Sequence, residues 1–140
     1  MDKMDHKEIA GCMTNLLFAT SQLHYTHWLT IKNHHHEVVG TLYENLKKEI
    51  DELAEQFMGA KIPEMTPAKS MMAEQMTKMK YQYRPIDREK EIISYIDELV
   101  MKVEKGMGIA EKYKELKFMV DTLSDIAAEL HSAKYQISQE

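Results

Sequence analysis

The sequence predicts an all-α fold: a four-helix bundle in which long helices pair through short turns and one longer crossover joins the pairs. Three observations predict it. Apolar residues recur at helical spacing over four long stretches. Glycine and proline are scarce, five and three in 140 residues, and most fall at the ends of those stretches. The middle connection, residues 60–85, holds all three prolines and breaks the helical rhythm.

Asp5 with Glu8 three residues on has the form of a capping box, which would open the first helix. Its stripe runs Ile9, Cys12, Met13, Leu16, Leu17, Leu23 and Ile31. Asn33 is a cap for the second helix, whose apolar positions are Val39, Leu42, Tyr43, Leu46, Ile50, Leu53 and Phe57, with Gly59 as its stop. The crossover contains Pro63, and Thr66-Pro67 then opens a short helix carrying Met72, Met76 and Met79. A third long helix follows Pro85, with Ile92, Ile93, Ile96, Leu99, Val100 and Val103 inward and Gly106 and Gly108 closing it. The last helix uses Ile109, Tyr113, Leu116, Val120, Leu123, Ala127, Leu130 and Ile137. Short-long-short connectivity is that of a ferritin-like four-helix bundle, since an up-down bundle needs only a short middle loop. Residues 1–140 are expected to form one domain.

Composition removes several classes of function. The chain is 44% hydrophobic and 29% charged, with net charge −5 and no basic run or tail. A phosphate-backbone binder needs a basic patch, so nucleic acid is not an expected partner. One cysteine, Cys12, leaves no internal disulfide or cysteine-based zinc knuckle, and its neighbours at helical spacing make it a buried thiol. No apolar run reaches the ~18 residues of a membrane span, and the first residues lack the layout of a secretion signal. The expected location is the cytoplasm, or the host cytoplasm if the protein is viral.

The chemistry is concentrated between His24 and Gly59, which contains most of the histidines, the only tryptophan and the acidic pair Asp51 and Glu55, one helical turn apart. At 100° per residue His36 lies about 70° from the centre of the second helix's apolar stripe, and Asp51 and Glu55 lie more than about 120° away. The two carboxylates therefore face away from this chain's own core, one turn apart on one flank, where they could clamp a cation with a second chain at a symmetric interface. His27 falls inside the stripe of the first helix and His24 on its edge. No Glu-x-x-His pair occurs, so a di-iron centre within one bundle is not expected. Asp121, Asp125 and Glu129 stack opposite the last helix's stripe as a solvated face. His34 and His35, at a helix start, are expected to be exposed; Trp28 is expected to anchor an interface or the core. A buried, hydrogen-bonded histidine is the plain structural reading of His27.

His27-Trp28, then His36-Glu37, then Asp51-Glu52-Leu53-Ala54-Glu55, with Gly59 after the helix, resembles the Dps-like (miniferritin) pattern. Within that family the closest likeness is to small Dps-like proteins encoded by tailed phages. The resemblance implies a homo-oligomer that holds iron between two-fold-related subunits. Its ligands here would be His27, His36, Asp51 and Glu55, and its chemistry the oxidation of Fe(II) by peroxide or dioxygen. Imidazoles with carboxylates also suit Zn(II) or Mn(II). The chain departs from the pattern in two places. His27 lies three residues closer to His36 than in the family, while His24 has the spacing without the tryptophan. The family's further Asp, one turn after the second His, falls on Gly40. Those departures motivate the alternative, a metal-free helical oligomer acting as a phage accessory or interaction protein. The Lys-rich tail that many Dps proteins use on DNA is missing.

Overall fold

Beside Asp2, whose carboxylate accepts from the Asp5 backbone N–H at 2.8 Å, the chain enters its first helix. A computed structural model describes residues 2–59, 66–79 and 83–139, the side chain of residue 79 excepted. The helices are α1 (Lys3–Leu29), α2 (Asn33–Gly59), α3 (Thr66–Met79), α4 (Glu89–Lys112) and α5 (Lys117–Ser138), and a 3-10 turn, Lys114–Leu116, leads into α5. Among the described residues there is no strand, so the all-α expectation holds. No helix among them is long and apolar enough to cross a membrane. Pro63 lies outside the described residues, as does the Met79 side chain.

The capping box expected at Asp5 and Glu8 is corrected: Asp2 is the cap, and the Asp5 side chain is buried. Asp5 accepts from Lys112 Nζ at 3.1 Å and from the Tyr113 hydroxyl, which ties the first turn of α1 to the α4–α5 corner. The Tyr113 hydroxyl and then Lys112 hold the Asp5 carboxyl below the usual carboxylate range, against the opposing effect of burial.

Four helices form a ring in which α1 packs on α2 and α4, and α5 packs on the same two; α3 lies against α1. Every neighbouring pair is antiparallel. Glu8 faces Lys105 while Asp5 faces Lys112 across α1 and α4. Asn45 reaches Glu129 and Thr122 reaches Gln56 across α2 and α5. The start of α4 lies beside the start of α2, with Glu89 3.7 Å from His35. α2 and α4 therefore run parallel, and the connection between them returns the full length of α2, about 40 Å at 1.5 Å per residue.

The core is one continuous cluster filled by the expected stripes, with Leu16, Val39, Leu46, Leu53, Phe57, Ile96, Val103, Leu123 and Leu130 fully buried. Each such side chain contributes about 1.5–3 kcal/mol of transfer free energy. Ile31 departs from its stripe: it stands past the end of α1 and is 92% exposed. Met72 is buried under α3 and Met76 is exposed.

Gly106 and Gly108 do not close the third long helix, which runs on to Lys112. A Cβ at Gly106 would lie 2.7 Å from Cys12 Sγ, so this glycine is a point of close approach between α4 and α1. Tyr113 consequently belongs to the corner and Leu116 to the 3-10 turn. The returning crossover is fixed by one buried amide. Gln22 Nε2 donates to the Arg84 carbonyl at 2.8 Å, and Gln22 Oε1 accepts from the Arg84 N–H at 2.9 Å. Both backbone groups of Arg84 are thereby satisfied, the carbonyl accepting from the Ile86 N–H at 2.8 Å as well.

Candidate functional site

The turn between α1 and α2 brings His27, in the last turn of the first helix, against His36, in the first turns of the second. His27 Nδ1 lies 2.9 Å from the His36 carbonyl and His36 Nδ1 lies 2.8 Å from the His27 carbonyl. A carbonyl can only accept, so each Nδ1 carries the proton, and in the neutral rings each Nε2 keeps its lone pair. The rings stack at a centroid separation of 3.9 Å and 23° between planes. The His27 carbonyl is one of the orphans at a helix C-terminus, and the imidazole of His36 satisfies it.

Gly40 makes this clasp possible. A Cβ there would come within 2.7 Å of His27 Cε1 and 2.9 Å of its Nδ1. The position that the Dps-like pattern gives to an aspartate is therefore the floor on which His27 lies. His27, half-buried, also lines an open cleft of about 550 Å³ together with His24, Glu37, Gly40, Tyr43 and Glu44. His24 itself is turned to other rings, stacked on Tyr43 at 4.2 Å and packed on Trp28 at 4.2 Å.

Asp51 and Glu55 are exposed on α2, as expected. Asp51 stands fifteen residues past His36, about 22 Å along the helix axis, and Glu55 about 28 Å. One chain thus brings His27 and His36 together, and Asp51 and Glu55 together, but keeps the two pairs apart. Among the described residues of a single chain, no three ligating side chains gather around one point. A single copy thus offers two half-buried imidazoles in one place and two exposed carboxylates one turn apart in another.

Three features escaped the sequence reading. His35 is buried rather than exposed: its Nε2 lies 3.1 Å from the Ile137 carbonyl, and His34 Nε2 lies 2.6 Å from that of Gln136. Two histidines of α2 thus cap the last carbonyls of α5. The second feature is Glu49, whose Oε2 is buried without a hydrogen-bond partner among the described residues. Burial, then Glu129, Asp125 and Glu52, push its carboxyl up to about 7. Asp121 and Asp125 are exposed as expected, while Glu129 is half-buried and bonded to Asn45 at 3.2 Å. The third is Trp28, whose 67% exposure removes the core half of the expected interface-or-core role.

No family model, curated protein or solved structure matches this chain.

Proposed function

We propose that this protein is a ferritin-like, Dps-like bundle whose copies associate along α2 and bind iron at a shared site. The ring order and the parallel pair α2 and α4 support the ferritin-like assignment, because only a full-length crossover produces that arrangement. The observation that carries the functional reading is the reciprocal clasp of His27 and His36. Both rings are oriented by backbone carbonyls bonded to Nδ1, the arrangement in which a metal-ligating histidine leaves Nε2 for the ion. A two-fold axis crossing α2 near residues 43–45 would set these rings against Asp51 and Glu55 of a second copy. Iron is the substrate in this reading: Fe(II) gives its electron to peroxide or dioxygen, and the carboxylates hold the Fe(III) formed as hard oxygen ligands. The protein is proposed to work in the cytoplasm.

Elemental analysis of metal-replete protein, with light scattering for mass, tests this. The reading requires an assembled species that holds iron, zinc or manganese and loses it on His36→Ala or Asp51→Ala. A strictly monomeric protein, or one that stays metal-free in excess Fe(II), refutes it. The contact of Gly40 with His27 favours one second reading, a metal-free helical oligomer with an accessory or interaction role in a phage. A carboxylate at position 40 cannot coexist with His27 as placed. In that case the same two substitutions leave both mass and metal content unchanged.

A further inference from the structure

A separate cleft, of about 520 Å³, opens where the crossover returns past α1 and α4, a size within the range of small-molecule sites. Aromatic rings form its walls. Phe18 and Tyr83 stand 5.3 Å apart between centroids, tilted by 33°, and the Arg84 guanidinium lies over the Tyr95 ring at 4.9 Å. Arg84 is held as part of the wall: its terminal nitrogens meet the Glu98 carboxylate at 2.8 and 3.2 Å, and Gln22 clasps its backbone.

Apart from Leu99 and Glu98, the remaining lining is cationic and polar. Lys78 and Lys102 both border the cleft. Lys78 pairs with Glu74 at 2.9 Å, and Lys102 forms no ion pair among the described residues. Arg84, Lys78 and Lys102 face a single lining carboxylate, Glu98, in a chain whose net charge is −5. Two polar groups are placed for directional bonds. Tyr95 is only 5% exposed, and no described residue bonds its hydroxyl. Asn15 Nδ2 donates to the Gly11 carbonyl at 2.7 Å, which leaves its Oδ1 as an acceptor.

Flat faces, unneutralised positive charge and hydrogen-bonding groups call for a ligand that has a planar polar ring and an anionic group together. An inorganic anion would leave the rings uncovered, and a neutral aromatic would leave Lys102 without a counter-charge. We propose that this cleft binds a nucleoside monophosphate, its base against Tyr83 and Phe18 and its phosphate between Lys102 and Lys78. Base stacking on aromatic side chains tolerates any base, so purine and pyrimidine monophosphates both enter. The α2 histidines and acids take no part.

Isothermal titration of the full chain with AMP, UMP, adenosine and inorganic phosphate tests this. Tyr83 and Lys102 are exposed, so Tyr83→Ala and Lys102→Glu leave the helical circular dichroism intact. The expected result is saturable binding of AMP and UMP, with adenosine and phosphate each weaker. Each variant should lose about tenfold in affinity, while Lys117→Glu, the same charge change on exposed α5 surface, loses none. The proposal is overturned if neither nucleotide saturates at concentrations on the order of millimolar. It is equally overturned if the two cleft variants bind as the native chain does, if Lys117→Glu weakens binding as much, or if inorganic phosphate or adenosine alone binds as tightly as AMP.

Discussion

Replacing Gly40 by alanine should destabilise the protein although alanine is the better helix former. In an exposed helix interior the change gains about 1 kcal/mol. Here the new methyl would sit 2.7 Å from His27 Cε1, well inside contact distance. The ring cannot swing aside freely, because its Nδ1–H is bonded to the His36 carbonyl at 2.9 Å. Either the overlap is relieved by moving α1 from α2, at about 1–3 kcal/mol, or the hydrogen bond is surrendered, at about 1 kcal/mol. Set against the gain of about 1 kcal/mol, the net expectation is a loss of up to about 2 kcal/mol. In a His27→Ala background the obstruction is gone and Gly40→Ala should instead stabilise by about 1 kcal/mol. The sign reversal makes the cycle diagnostic, with a coupling of about 1–3 kcal/mol. Urea unfolding followed at 222 nm, at one fixed protein concentration, measures all four species. A Gly40→Ala protein more stable than the parent, or a cycle additive to within about 0.5 kcal/mol, would refute the clasp.

Gln22→Ala should cost about 1–3 kcal/mol, since it leaves the Arg84 N–H without its side-chain partner while the Arg84 carbonyl keeps the Ile86 N–H at 2.8 Å; thermal unfolding that moves by less than a degree or two would contradict this. Glu49 gives a pH dependence. Its folded-state carboxyl stands at about 7 against 4.5 for the free group. Below about pH 4.5 the group is neutral in both states and exacts no penalty. As the pH rises through about 7 the unfolded chain ionises first and stability falls. Full conversion of that displacement is about 3 kcal/mol, and solvent screening at a partly exposed carboxyl reduces it to about 1–2 kcal/mol. Glu49→Gln should therefore stabilise by that amount at pH 8 and hardly at all at pH 4, read from urea midpoints; equal gains at both values would count against it.

Helical phase was written plainly in the sequence. The stripes through Leu46, Ile96 and Leu123 point to the core because 3.6-residue periodicity is a local property, and the outward direction of Asp51 and Glu55 follows from the same arithmetic. What a local pattern cannot convey is which neighbour arrives. Gly106 reads as a stop unless the close passage of Cys12 on another helix is known. His35 reads as exposed because its partners, Ile137 and Glu89, are distant in sequence. Gly40 reads as a ligand lost from a motif, whereas the fold uses it to seat an imidazole. Ile31 was misplaced for a simpler reason: the helix ended before the periodicity did.

Position 22 also bears on what evolution can write there. One side chain meets both the N–H and the carbonyl of Arg84, and the carbonyl accepts from the Ile86 N–H as well. Asparagine falls a methylene short of that reach, glutamate lacks the N–H, and lysine lacks the acceptor. The return path across the bundle thus makes glutamine at this site close to irreplaceable, and the residue it holds, Arg84, is also a wall of the cleft between the crossover, α1 and α4.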